Sequence, residues 1–277
     1  MKKNRLILFT LCLLFPFYSV AQTSDVTVKR NIVDINIRLK GHGELEVNKT
    51  ERVLPGDPEK RIIVIKDSDT GNPVPEANVE IDKIWDVLTN RNGQADLPVE
   101  VEDGEHVMVV TKENVYVRTE SRFVVREGEI TTPPQISVPK AVDYERIKIV
   151  LDWGEYPEDL DSHIFSDDYH VYFENMNEGN LNLDRDDTTS FGPETVTIRD
   201  IENSELYQYY VYDYTNGGDR NCSEMSNSGA QVRVYHNNNL ITSFNITPNQ
   251  VGYWWHVFDI RNGKEIIKYD KVSNYRD

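Results

Sequence analysis

Apolar and polar residues alternate with a period of two through much of the chain. The clearest runs are Val33 to Leu39 and Gln231 to Tyr235. Successive side chains of a strand point to opposite faces, so this alternation predicts strands with one buried face. Helical spacing of apolar residues over three turns is hard to find after residue 21. The pattern therefore predicts an all-β protein.

Further apolar runs bounded by Gly, Pro, Asn and Asp predict the remaining strands. They cover residues 61–66, 77–81, 107–111, 122–126, 136–138, 147–153, 170–173, 196–198, 207–214, 240–246 and 253–260. Residues 154–168 form a turn-rich acidic region. Short strands separated by turns at intervals of about ten residues are typical of β-sandwiches. We predict two consecutive β-sandwich domains, residues 61–139 and 143–277, after a strand and linker region over residues 22–60.

Residues 1–21 do not follow this pattern. A positively charged start precedes an apolar run over residues 6–17, and small residues then precede Gln22. This is the pattern of a cleavable secretory signal peptide, and the run is shorter than the about 20 apolar residues that span a bilayer. Cys12 lies inside the run and not at the cleavage point, so no lipid anchor is predicted. We expect an exported protein, periplasmic or extracellular, with no membrane anchor.

The charge of the chain narrows the classes of partner. Its formal net charge is −17, with 47 acidic and 30 basic residues, and the predicted signal peptide carries basic residues only. A strongly acidic mature chain argues against nucleic acid and anionic membranes as partners, and it suits divalent cations. Most of the acids are expected to be solvated surface residues. Cys222 is the one cysteine left after cleavage, so no internal disulfide is predicted.

Residues 67–93 carry a recognisable pattern of turn residues. It consists of D-x-x-T-G-x-P-V-x-x-A-x-V over residues 67–79 and T-N-x-x-G over residues 89–93. The pattern resembles the carboxypeptidase regulatory-like domains of exported bacterial proteins. The matching residues are Asp67, Thr70, Gly71, Pro73, Val74, Ala77, Val79, Thr89, Asn90 and Gly93. The resemblance implies an immunoglobulin-like sandwich used as a spacer or docking module, with these residues forming turns. Residues 95–97 depart from it, since the family usually places an aromatic residue there.

Residues 145–265 carry five motifs in order. They are LDWGEYPEDLDSH (151–163), LDRDDTTSFGPET (183–195), YQYYVYDY (207–214), SNSGAQVRVY (226–235) and GYWWHVFDI (252–260). Together they resemble the YfaP-type domain, a family of unknown function in exported bacterial proteins. The resemblance implies a fold and an envelope location, and it carries no known reaction.

Two acidic clusters are the strongest candidates for chemistry. They comprise Asp159, Asp161 and His163, then Asp184, Asp186, Asp187 and Glu194. In the first, a spacing of two puts all three side chains on one face of an extended strand, with Leu160 toward the core. If the two clusters are neighbours, their oxygens converge. Calcium prefers six to eight oxygen ligands, whereas zinc prefers nitrogen and sulfur, so calcium is the preferred ion, with magnesium or zinc behind it.

Two other interpretations of these acids stay open. Asp side chains in such loops often accept backbone N–H groups and hold turns without an ion. Paired carboxylates also serve glycoside hydrolysis, although the chain has no G-x-S-x-G or H-E-x-x-H motif. An enzyme is therefore the less favoured hypothesis.

Aromatic residues are dense in the second half of the chain. They comprise Tyr207, Tyr209, Tyr210, Tyr212, Tyr214, Tyr253, Trp254 and Trp255. They fit core and cross-strand pairs of a sheet, or a platform on which sugars stack. The favoured function is a non-catalytic binding or adhesion-type module for a protein or glycan partner, with a candidate calcium site. A carbohydrate-active or other hydrolase and a purely structural spacer are the alternatives.

Overall fold

The computed structural model describes residues 31–39, 45–53, 58–131, 134–202 and 205–276, with side chains from Glu59 onward. Strands form nearly all the regular structure there, which confirms the predicted all-β class. The predicted signal peptide lies outside the described residues.

A hairpin of two long strands comes first. Strands β1 (Asn31–Leu39) and β2 (Leu45–Val53) pair antiparallel along their whole length and form a sheet of their own. The predicted strand at residues 33–39 lies within β1. A short 3-10 helix, Pro58–Arg61, then leads into the first sandwich.

The first sandwich consists of a three-stranded sheet and a five-stranded sheet. Its strands are β3 (Ile62–Asp67), β4 (Asn78–Ile81), β5 (Trp85–Leu88), β6 (Gln94–Asp96), β7 (Gly104–Thr111), β8 (Thr119–Arg126), β9 (Glu129–Ile130) and β10 (Gln135–Val138). The sheets have the orders β10-β3-β6 and β5-β4-β7-β8-β9. Their inner faces meet in one hydrophobic core, in which Ile65, Val79 and Phe123 are almost fully buried.

The second sandwich is larger. Its strands are β11 (Arg146–Asp152), β12 (Leu160–Phe165), β13 (His170–Val171), β14 (Asn177–Glu178), β15 (Leu181–Arg185), β16 (Glu194–Arg199), β17 (Tyr207–Asp213), β18 (Gln231–His236), β19 (Asn239–Asn245), β20 (Trp254–Arg261) and β21 (Glu265–Ser273). The two sheets have the orders β14-β15-β16-β11-β18-β19 and β13-β12-β17-β20-β21. A separate hydrophobic core, containing Trp153, Tyr209 and Trp255, lies between them. A single helical turn, α1 (Glu224–Asn227), is present, and no helix of the described residues is long and apolar enough to cross a membrane.

Several strands of the second sandwich were not predicted, and β12 and β21 are the longest of them. Strand β12 lies within the segment 154–168 that the sequence predicts to be turns, and β21 was not expected as a strand. Leu160 to Ile164 are all buried, polar residues included, so β12 shows no alternation of apolar and polar residues. Strand β21 is an edge strand of mixed exposure, which weakens the same signal.

The two sandwiches meet through a buried polar interface. Asp152, at the end of β11, accepts hydrogen bonds from the Arg233 guanidinium and from the backbone N–H of Ser137 (3.1 Å) and the side chain of Gln135 (3.2 Å). Asp152 and Arg233 are 1% and 0% exposed. A small apolar cluster joins the sandwiches beside them and consists of Val117, Val150 and Tyr235.

Candidate metal centre

The candidate site lies at an open strand edge of the second sandwich. Strand β12 pairs with β17 along its whole length, but β13 covers only Ile164 and Phe165 on the other side. Glu194, the first residue of β16 in the opposite sheet, is 0% exposed and accepts the backbone N–H of Ser162 through Oε2. Its carboxylate therefore reaches across from one sheet to the uncovered edge of the other.

Alternation along β12 determines which side chains reach this edge. Leu160 and Ile164 belong to the hydrophobic core, and the Ser162 hydroxyl lies 2.7 Å from the Tyr209 hydroxyl. The residues between them, Asp161 and His163, therefore occupy the opposite, outer face. The structure confirms that Leu160 faces the core.

Three carboxylates converge at this edge, and we call them the acidic group: Asp161, Asp186 and Glu194. Each offers an oxygen atom, and these atoms all lie within 4.8 Å of one another. Ligands at 2.3–2.6 Å from one calcium ion are at most about 5 Å apart, since two ligands are farthest apart when they are trans. The three oxygens therefore meet the distance condition for binding one shared cation.

Several carboxylate oxygens at the site are buried without a hydrogen-bond partner among the described residues. They are Asp161 Oδ2, Asp186 Oδ1, Glu194 Oε1 and, beside the group, Asp159 Oδ1. Asp161 is 2% exposed, while Asp186 and Asp159 are half-buried. An ionised carboxylate that is removed from water without a partner is strongly unfavourable. The group needs positive charge, as bound protons or as a cation.

The electrostatic environment of the site is dominated by negative charge. Burial and the nearby Asp159, Asp186 and Asp213 raise the pKa of Asp161 to about 8. Burial, with Asp186 and Asp187 as the main charged neighbours, raises the pKa of Asp159 to about 6. Burial and Asp161 hold the pKa of Glu194 well above its usual value. All the charged neighbours that cause these shifts are acids.

Asp184 and Asp187 do not belong to the acidic group. Asp184 accepts a hydrogen bond from the Thr197 hydroxyl and lies 3.4 Å from Lys148 Nζ. Asp187 accepts from Arg185 (2.6 Å) and from the backbone N–H of Thr189 (3.1 Å). The register between β15 and β16 shifts at residues 183–185, and such a bulge re-aims the side chains that follow it. The acids of the DRDD motif therefore point in different directions.

His163 also lies outside the acidic group. Its Nδ1 is 2.9 Å from His170 Nε2, and its ring packs against Tyr172 (5.3 Å between centroids) and Trp254 (4.9 Å). Burial, and then the neighbouring His170 and Arg276, lower the pKa of His163 to about 3. Burial and Arg276 lower the pKa of His170 to about 4. This pair is neutral at physiological pH and belongs to an aromatic cluster.

The aromatic residues divide between core and outer face. Tyr207, Tyr209 and Trp255 are in the core, whereas Trp254 is half-buried on the outer face, so the adjacent tryptophans point in opposite directions as expected. On that face the His170 ring is stacked between Phe165 (3.9 Å) and Tyr172 (4.3 Å). Both faces of this ring are occupied by the protein, which leaves them unavailable to a sugar.

Asp213 is a neighbour of the site that the sequence did not reveal. It is 0% exposed, is paired in register with Leu160, and contributes to the raised pKa of Asp161. Its carboxylate accepts from the backbone N–H (2.9 Å) and the side chain of Asn216. The signal that points to it is its position at the end of the aromatic strand, directly opposite the DLDSH motif.

No family model, curated protein or solved structure matches the chain. The resemblances to the YfaP-type and carboxypeptidase regulatory-like domains therefore stay predictions.

Proposed function

We propose that this chain is an exported, non-catalytic envelope protein whose second sandwich binds one calcium ion through Asp161, Asp186 and Glu194, with Asp159 beside them. The observation that carries the proposal is the set of unpartnered oxygens: the three carboxylates converge within 4.8 Å, and each has an oxygen without a hydrogen-bond partner among the described residues. A hard divalent cation supplies the charge that the neighbouring side chains do not.

The ligand chemistry favours calcium over zinc. The acidic group offers only oxygen atoms, and the predicted nitrogen ligand His163 lies outside it, with its Nδ1 2.9 Å from His170 Nε2. Zinc prefers imidazole and thiolate ligands. Calcium tolerates irregular sets of carboxylates, carbonyls and water, whereas magnesium demands near-octahedral geometry.

A hydrolytic role is less well supported. Asp161 and Glu194 are 2% and 0% exposed, so a polysaccharide has no direct contact with them. A groove between the edge strands β19 and β21 is lined by Ile241, Phe244 and Ile266 and contains no acid. In the proposed role the ion stabilises a module that presents its surface to a protein or glycan partner.

Calorimetric titration with calcium tests the proposal. The wild-type protein, freed of metal by a chelator, is expected to bind one calcium ion per chain, with a rise in melting temperature. Asp161→Asn keeps the side-chain volume and removes one charged ligand, so we expect affinity to fall at least about tenfold, since contacts to charged groups are worth roughly 1.5–3 kcal/mol. Magnesium and zinc titrations under the same conditions establish which ion is preferred.

Asp168→Asn is the matched control. Asp168 is an exposed acid of the same sandwich, so the substitution removes the same charge from outside the acidic group. Calcium affinity is expected to match the wild type. Equal weakening by both substitutions, or no heat and no shift in melting temperature with the wild type, would show that the acids hold protons or turns instead of an ion.

A further inference from the structure

Two ligands of the candidate site lie at the two ends of one segment. We call residues 185–195 the bridging segment; it joins β15 to β16. Asp186 lies near its start and Glu194 near its end, and both belong to the acidic group. The shape of the whole segment therefore depends on the separation of these two carboxylates.

The same segment carries contacts to the first sandwich, next to each ligand. Arg185, which precedes Asp186, donates to the carbonyl of Thr70 (3.0 Å). Thr195, which follows Glu194, donates through its hydroxyl to the carbonyl of Ser68 (2.6 Å). Both acceptors lie in the turn of residues 67–71, the D-x-x-T-G part of the first-sandwich motif. Ligand and docking residues are thus adjacent at both ends of the segment.

The middle of the bridging segment is held from the first sandwich as well. Lys66 Nζ donates to the carbonyl of Gly192 (3.1 Å), and the Gln135 side chain donates to the carbonyls of Phe191 (2.9 Å) and Gly192 (3.0 Å). Gly71 lies directly against the Arg185 guanidinium, where a Cβ atom would come within 2.6 Å of it. This close approach fixes the turn of residues 67–71 on the segment.

The acidic group has no shared ligand when no cation is bound. Its carboxylates then either repel one another as charged groups or hold protons, because the surroundings are shielded from water. A divalent cation attracts all three carboxylates at once and favours the arrangement in which the segment is closed on the turn. The remaining interface contacts, such as Ser137 with Asp152, do not involve the acidic group.

We propose that calcium binding at the acidic group locks the bridging segment onto the turn of residues 67–71, and so fixes the two sandwiches relative to each other on that side of their interface. The inference rests on the proposed calcium site and adds a regulatory role to it. Calcium binding and the docking of the turn on the bridging segment are then thermodynamically linked. Calcium strengthens the docking of the turn, and loss of docking weakens calcium binding by the same factor.

Hydrogen exchange measured by mass spectrometry tests one direction of the linkage. Within the turn, the amides of Asp69 and Thr70 are bonded to Asp67 Oδ1, and that of Gly71 to the Asp67 carbonyl. None of these residues is a proposed ligand. Exchange in a peptide spanning residues 67–71 is expected to slow at least about fivefold with calcium, the lower end of typical coupling. The turn at residues 82–84, in which Asp82 bonds to His106 and Val107 of the first sandwich, provides the internal control and is expected to stay unchanged.

Calorimetry with docking variants tests the other direction. Thr195→Val removes the hydroxyl that donates to Ser68, and Lys66→Met removes the contact to Gly192; neither residue is a ligand. Calcium affinity is expected to fall at least about fivefold in each, while Asp168→Asn keeps wild-type affinity. The use of two variants guards against one that folds poorly.

The outcomes separate this inference from the proposed site. If the wild-type protein binds no calcium, the proposed function itself is wrong. If it binds calcium with unchanged exchange in residues 67–71 and unchanged affinity in both docking variants, the site stands and the coupling is overturned. Slower exchange together with weaker binding in the variants supports both.

Discussion

The second sandwich buries carboxylates in two places, and the two places differ in the partners of the buried acid. Asp152 is 1% exposed, and the Arg233 guanidinium, Ser137 and Gln135 donate to it. Asp161 is 2% exposed, yet its Oδ2 has no partner among the described residues and its charged neighbours are acids. The difference shows that the chain neutralises one buried acid with its own arginine, whereas the other has only acids as its charged neighbours.

A buried charge is tolerated only when a partner of opposite charge or a set of hydrogen bonds offsets its loss of hydration. The source of that partner indicates the role of the buried residue. A partner within the chain makes a permanent structural joint, as at the interface between the sandwiches. A partner from solution makes the local structure depend on ion concentration and pH. The contrast between Asp152 and Asp161 therefore predicts opposite responses to mutation, to calcium and to pH.

The largest effect is expected from Arg233→Met, which breaks the structural joint. The substitution keeps an unbranched side chain of comparable length and leaves Asp152 buried without its counter-charge. The free energy of unfolding is expected to fall by about 3–5 kcal/mol, with no rescue by calcium. Urea unfolding followed by tryptophan fluorescence measures it, since Trp153, Trp254 and Trp255 all lie in the second sandwich.

The double variant Arg233→Met with Asp152→Asn provides the control for this result. Removing both charges leaves no isolated buried ion, so part of the lost stability is expected to return. Wild-type stability in the single variant would mean that Asp152 is adequately solvated or held by Ser137 and Gln135 alone, and the contrast with Asp161 would fail.

Much of the fold was predictable because buried and exposed residues alternate where a strand has one dry face. Strands such as β3 and β8 follow that rule. Strand β12 does not follow this alternation because Asp161, Ser162 and His163 are buried polar residues. Their burial depends on partners that are far away in sequence. The acids of the site are thus the reason why the strand that carries them was hard to recognise.

The ligand set was predictable only in part, for geometric reasons. Asp161 and His163 do share a face, as expected, but the His163 ring lies against His170, Tyr172 and Trp254 instead of the acids. These contacts depend on residues that are distant in sequence. Convergence instead comes from Asp186 and Glu194, whose placement depends on a bulge and on the packing of two sheets.

The pH dependence of calcium-free protein provides a test of intermediate size. In the unfolded chain Asp161 titrates near 3.9, whereas burial and neighbouring acids raise its pKa in the folded protein to about 8. Between these values the folded state holds a proton that the unfolded state has lost. Stability is therefore lost as pH rises from about 4 to about 8, by at most about 1.4 kcal/mol per pH unit from this group.

Thermal melts in chelator between pH 6.5 and 8.5 measure this loss in a range where His163 and His170 are neutral. Asp161→Asn removes one of the groups with a raised pKa and is expected to reduce the pH dependence, while Glu194 retains part of it. Calcium is expected to reverse the pH dependence of stability. Protons compete with the ion for the carboxylates, so the stabilisation by calcium grows with pH. A flat profile for the calcium-free wild type would mean that the acidic group is neutralised by a partner within the chain.

The smallest effect concerns the histidine pair beside the acidic group. Burial lowers the pKa of His163 to about 3 and that of His170 to about 4. Between pH 6.5 and about 4 the unfolded chain therefore binds protons that the folded state excludes. The stability of the folded state falls as the pH falls through this range. His170→Phe preserves a ring between Phe165 and Tyr172 and is expected to reduce the proton uptake that accompanies unfolding by up to about one proton.

The acidic group is present in both proteins, so its contribution cancels in the difference between their melting curves. Tyr172→Phe is the control, because it alters the stack without removing a histidine, and it is expected to keep the wild-type slope of stability against pH. An unchanged slope in His170→Phe would assign the acid sensitivity to other groups and limit the comparison to the two carboxylate sites.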